Sequence, residues 1–99
     1  MRGYRVELDE VAAAIRALGF PVACVFKRGE TLAAIVETGA EDGFDEAGLR
    51  AALQAKIEPH AIPERIAAVT RIPRNENDKL DRRAAAALLE ERIAKPHGT

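Results

Sequence analysis

Apolar positions along the chain change their period several times, and each change marks an element. Val11, Ile15 and Leu18 are spaced by four and three residues, which places them on one face of a helix over EVAAAIRAL. Asp9 precedes this helix as a candidate N-cap, Gly19 follows it as a C′ residue, and Pro21 forbids continuation. Upstream, GYRVEL alternates enough for a short strand. VACVFKR and TLAAIVE are two strand-like runs joined by Gly29-Glu30, and a Gly-X pair in that setting predicts a type II′ hairpin with glycine at positive φ. GAEDG (39–43) reads as a loop. Asp45 then caps a helix whose buried stripe is Leu49, Leu53 and Ile57, with Phe44 placed to staple onto Leu49. Pro59 and Pro63 bracket an extended link, PHAIP. RIAAVTRI is a further strand, Asp81 caps a last helix through about Ile93, and KPHGT is a frayed tail. The order is β-α-β-β-α-β-loop-α: an α+β domain in which two to three helices pack on a small mixed sheet, in two or three layers.

Composition narrows the function classes. Ninety-nine residues make one domain with a modest core, small for an enzyme that encloses two substrates. Hydrophobic residues are 47% and charged residues 31%, the balance of a globular chain. A net charge of −1 exerts no long-range pull on nucleic acid or an anionic membrane, and no basic-aromatic stripe interleaves Tyr4, Phe20, Phe26 and Phe44. No apolar run reaches the roughly 20 residues of a membrane span, and MRGYRVEL lacks the apolar stretch of a signal peptide. The single cysteine, Cys24, lies in the apolar run VACVF, which fits a buried thiol in a reducing, cytoplasmic setting.

Few residues suggest chemistry. His60 and His97 are isolated and far apart, so no metal site is expected, and no Ser-His-Asp arrangement emerges. Lys79 stands between Asp78 and Leu80, which excludes a phosphate-binding P-loop. What remains is RNENDKLDR (74–82). On physics alone it is a solvated strand-to-helix turn in which Asn75, Asn77 and Asp78 tolerate turn geometry and Asp81 caps the helix. A lysine at a loop tip is also a mobile point charge suited to a phosphate or carboxylate.

Three stretches, in order, resemble one family. RGYRVELDEVAAA (2–14) is similar to R-G-Y-R-[IV]-E-L-x-E-[IV]-E, which opens the C-terminal subdomain of adenylate-forming enzymes: acyl-CoA synthetases, nonribosomal-peptide adenylation domains and luciferases. PHAIP (59–63) is similar to its P-x-x-[VI]-P link, and PRNENDKLDRR (73–83) to its terminal P-x-x-x-x-G-K-[LIV]-D-R. Together they cover residues 2 to about 89. The resemblance implies that residues 1–99 form a mobile lid, inactive alone, on an N-terminal domain that is absent from this sequence and binds ATP, Mg²⁺ and a carboxylic acid. Met1 suits either an initiator of a separately encoded lid or the start of a fragment.

In one orientation of such a lid, the lysine matching Lys79 contacts the substrate carboxylate and the nucleotide, with Asn77, Asp78, Asp81 and Arg82 supporting its loop. In the other, the loop matching Arg2, Gly3, Tyr4 and Arg5 faces the site while coenzyme A or a carrier-protein phosphopantetheine attacks the acyl-adenylate. Implied partners are therefore the ATP-binding domain and coenzyme A or a carrier protein. One departure stands out: the family has Gly where this chain has Asp78. The competing reading is a free-standing interaction module that docks on a carrier protein or synthetase without catalysing.

Overall fold

The computed structural model describes residues 8–39 and 43–94. They form α1 (Leu8–Ala17), β1 (Ala23–Arg28), β2 (Thr31–Glu37), α2 (Glu46–Leu53), a 3₁₀ turn (Pro59–Ala61), β3 (Arg65–Val69) and α3 (Arg82–Ala94). The strand expected over GYRVEL lies outside the described residues except for Leu8, which opens α1. Residues 40–42 of the GAEDG loop and the KPHGT tail also lie outside them.

The sheet is mixed, in the order β1-β2-β3, with β1 antiparallel and β3 parallel to the central β2. Arg28 pairs with Thr31 across the expected two-residue turn. Gly29 takes φ +67° while Glu30 stays out of the positive region, as a II′ turn requires and a I′ turn does not.

Alternation in the strands divides the interior into two cores. Ala23, Val25, Leu32, Ala34, Val36 and Ile66 meet Val11 and Ile15 of α1 and Leu49 and Leu53 of α2. On the opposite face, Cys24, Ala33, Ile35 and Val69 meet Ile72 and the α3 residues Ala85 and Leu89. The α+β domain therefore has three layers, two helices on one side of the sheet and one on the other. No helix among the described residues is long and apolar enough to cross a membrane.

Four local expectations change. Asp9 lies inside the first turn of α1, not at its cap. The helix already includes Leu8, which packs against the first core, so Asp9 acts only through the helix dipole. At the other end Gly19 takes φ +108° and donates to the Arg16 carbonyl at 3.1 Å, as expected of a C′ residue. α2 ends at Leu53; Ala55 and Lys56 donate three residues back, and this tighter turn delivers Ile57 to the first core. PHAIP is a 3₁₀ turn rather than an extended link, because Pro59 is preset for a helical first position. Only Ile62, held extended by the following proline, keeps the expected conformation. Finally, β3 stops at Val69 instead of running to Ile72.

Both remaining caps form as expected. Asp45 Oδ1 accepts from the Gly48 N–H at 2.9 Å, and Asp81 Oδ1 accepts from the Ala84 N–H at 3.0 Å. Phe44, just before the first cap, packs edge-on against Phe20 with ring centroids 5.7 Å apart, in the core that contains Leu49. Asp81→Ala leaves an α3 amide without its acceptor. The expected loss is about 1 kcal/mol, seen as a lower urea midpoint at unchanged slope.

Candidate functional site

β3 ends early because a side chain takes over its hydrogen bonding. Glu37, at the end of β2, accepts the Ile72 N–H on Oε1 at 2.8 Å and Arg74 Nη1 on the same oxygen at 3.0 Å. Arg74 Nη1 also donates to the Ile72 carbonyl at 2.6 Å. The Arg74 bond, and after it the Ile72 N–H, holds the Glu37 carboxyl below the ordinary carboxylate value. Ile72 itself is fully buried in the second core, so this junction is anchored on its apolar side too.

From there the chain makes a small closed loop. Arg74 and Leu80 form an antiparallel bridge, with the Asn75 N–H donating to the Lys79 carbonyl at 2.8 Å. The Asn75 side chain then occupies the interior of the turn: Oδ1 accepts from the N–H of Asn77 at 2.8 Å and of Lys79 at 3.1 Å. The Asn75 main-chain carbonyl accepts from the Asp78 N–H at 2.9 Å, and the Asp81 N–H closes back onto the Pro73 carbonyl at 3.0 Å. These bonds bend the chain sharply at Asp78, which takes φ +62°, alone among the described non-glycine residues. Asp is one of the few L-residues that tolerate this region, so the loop forms without a glycine.

Lys79 leaves this turn exposed to solvent, and among the described residues no carboxylate pairs with its ammonium. The start of α3 is fixed separately. Arg82 Nη2 donates to the Val25 carbonyl at 2.9 Å, and the guanidinium lies 4.6 Å from the centroid of the Phe26 ring. The loop is therefore braced at both ends, by Glu37 and Arg74 on entry and by Asp81 and Arg82 on exit. Chemically it can present one ammonium group, on a held backbone, to an anion supplied from outside the domain.

Of the residues singled out from the sequence, Asn77, Asp78, Lys79, Asp81 and Arg82 come together here; Asn77 contributes its backbone N–H. Arg2, Gly3, Tyr4 and Arg5 lie outside the described residues. Asn75, expected from the sequence as a turn residue, organises the loop, whereas Glu37 and Arg74, which hold its root, were not among the candidates. Asn75 has a local signal, an asparagine two residues before the amide it accepts. Glu37 has none, since its partners are 35 and 37 positions away.

Elsewhere, Cys24 is buried, and burial pushes its thiol up from the ordinary value. Among the described residues no group of three or more His, Cys, Asp or Glu side chains is placed to hold a metal ion.

No protein-family model matches the chain. It is 39% identical over 101 residues to phenyloxazoline synthase MbtB of a Mycobacterium species (strain MCS), an alignment covering 93% of this chain and 8% of that protein. It is 36% identical over 95 residues to nonribosomal peptide synthetase ataP of Aspergillus terreus, covering 95% and 6%. Its fold matches ATP-bound MatB from Rhodopseudomonas palustris at TM-score 0.73 and 24% identity, over 94% of this chain and 20% of that one. The chain thus spans less than a tenth of the length of these two curated relatives.

Proposed function

Because the chain resembles, in sequence motifs and in fold, the C-terminal subdomain of the adenylate-forming enzymes, we propose that it is the mobile lid of an ATP-dependent acid-activating ligase. Lys79 is its catalytic residue. When carboxylate attacks the α-phosphate of ATP, two anions meet, and the ammonium of Lys79 offsets the charge where it builds up. ATP and Mg²⁺ belong to the ATP-binding domain. Arg2, Gly3, Tyr4 and Arg5 serve the second step, in which a thiol attacks the acyl-adenylate. Kinship with nonribosomal peptide synthetases favours a carrier-borne phosphopantetheine over free coenzyme A as that thiol.

One observation carries this reading. The motif that supplies Lys79 is built as a braced loop, with its lysine exposed and unpaired among the described residues. The test is complementation. Added to an adenylation enzyme from which the corresponding C-terminal segment has been removed, the chain restores acyl-adenylate formation, measured as exchange of pyrophosphate into ATP. Failure at every concentration, with the chain shown folded and bound to its partner, removes the proposal. That result, together with binding to a phosphopantetheine-loaded carrier protein, favours the non-catalytic docking module instead. Asp78 is the feature that keeps the second reading in view.

Asp78 also yields a quantitative expectation. Its carboxylate stands one residue from Lys79, beside incoming phosphates. At close range in water such a charge is worth about 1 kcal/mol, so Asp78→Gly raises the adenylation rate roughly fivefold. Stability changes little, because relief of a left-handed Asp and the greater unfolded-state freedom of Gly are each about 1 kcal/mol and opposite in sign. Steady-state kinetics and a urea titration of the same variant measure the two effects separately. An unchanged adenylation rate overturns the electrostatic argument.

A further inference from the structure

We infer that Glu37 is a positioning residue for Lys79, acting through Ile72 and Arg74; the inference rests on the catalytic role proposed for Lys79. The connection can be followed bond by bond. Glu37 ends the central strand, where it pairs in register with Val69 of β3. Its Oε1 holds the Ile72 N–H and Arg74 Nη1, at 2.8 and 3.0 Å. Arg74 is in turn the first leg of the bridge that closes the loop, and Leu80, the other leg, is bonded directly to Lys79 in the chain. The lysine thus stands one residue from a bridge whose base is tied to the central strand of the sheet, which is paired on both edges.

Burial makes the tie more than a surface ion pair. The Arg74 and Glu37 side chains are 18% and 20% exposed, against 41% and 55% for Arg28 and Glu90, which join the hairpin end to α3. The carboxylate also accepts a backbone amide, so removing it frees the main chain at the root of the loop as well as a guanidinium. A long, flexible lysine gains most from such a root. Its ammonium must meet a developing charge in a different domain, and a displacement of about 1 Å at a reacting centre can cost on the order of a hundredfold.

The role is testable because only one of the two steps uses the lysine. Glu37→Ala, Glu37→Gln and Lys79→Ala are compared in the chain joined to its ATP-binding domain. Glu37→Ala is expected to lower kcat of adenylate formation by about tenfold or more, leaving KM for ATP within about twofold. Transfer of the acyl group from preformed adenylate to the thiol stays at the wild-type rate. Glu37→Gln, whose amide oxygen still accepts the Ile72 N–H, recovers part of the loss. A Glu37→Ala variant that slows both steps equally has lost stability rather than alignment, and the inference falls. It falls equally if Glu37→Ala adenylates normally while Lys79→Ala does not. If Lys79→Ala itself adenylates normally, the failure belongs to the role assigned to Lys79.

Hydrogen exchange on the 99-residue chain gives a second reading that needs no partner. In Glu37→Ala the amides of Asn77 and Lys79, both held by Asn75 in the wild-type loop, exchange faster, while amides in β1 keep their protection. Unchanged exchange at both loop amides in a folded variant overturns the inference.

Discussion

Lys79→Ala is expected to slow acyl-adenylate formation by on the order of 10²–10³, the usual cost of removing one preorganised group that stabilises transition-state charge. The size follows from what the loop leaves undone. The loop's hydrogen bonds use the Lys79 main chain but not its side chain, so truncating that exposed side chain keeps the fold and takes away only the charge. Thermal stability of the variant should match the parent. The second step, thiol attack on a preformed adenylate, should proceed normally, since the role proposed for Lys79 belongs to the first step alone. Lys79→Arg keeps the charge but replaces a compact ammonium with a broad planar group, so it restores only part of the rate. Measuring pyrophosphate exchange and thioester formation separately for the two variants checks all of this. Equal adenylation by Lys79→Ala and wild type would falsify the catalytic assignment.

Ile35→Ala has the largest expected effect on stability, about 3 kcal/mol within the usual range of 2–5 for a fully buried aliphatic residue. Ile35 is 0% exposed in the central strand and packs in the core shared with Val69, Ile72, Ala85 and Leu89. Neighbours there are tied in place by the sheet on one side and α3 on the other, which limits how far the site can collapse around the lost methyl groups. A domain of this size holds only about 5–15 kcal/mol in all, so the loss is a large share of it. The melting temperature should fall by roughly 12–24 °C. Since Ile72 shares that core, loop amides should lose exchange protection in step with α3. A fall of only a degree or two would mean the second core is not close-packed around Ile35.

Much of the fold was legible because its signals are local. A glycine at the hairpin turn, aspartates at two caps and a three-to-four spacing in α1 each act within a few residues, and each element formed where its signal stands. The misreadings share a different cause. Two prolines in PHAIP suggest an extended link, but the position of Pro59 at a turn start decides otherwise. Apolar character continues to Ile72, three residues past the end of β3, but the Ile72 amide goes to a carboxylate 35 residues away. The loop divides in the same way. Its lysine came from a motif and its Asp81 cap from a local rule, but the glutamate and arginine at its root meet only after β2 and β3 have paired.

The central strand has a further consequence, for which changes of chain length the domain tolerates. Leu32, Ala34 and Val36 serve one core, and Ala33 and Ile35 the other. One residue inserted in β2 would rotate every later side chain of the strand through half a turn. Small alanines and large aliphatics would exchange places between two differently shaped interiors, and Glu37 would emerge on the face opposite Arg74. Insertions between the strands and helices carry no such phase. Variation in length among relatives should therefore collect outside the strands, while the seven residues of β2 stay constant in number.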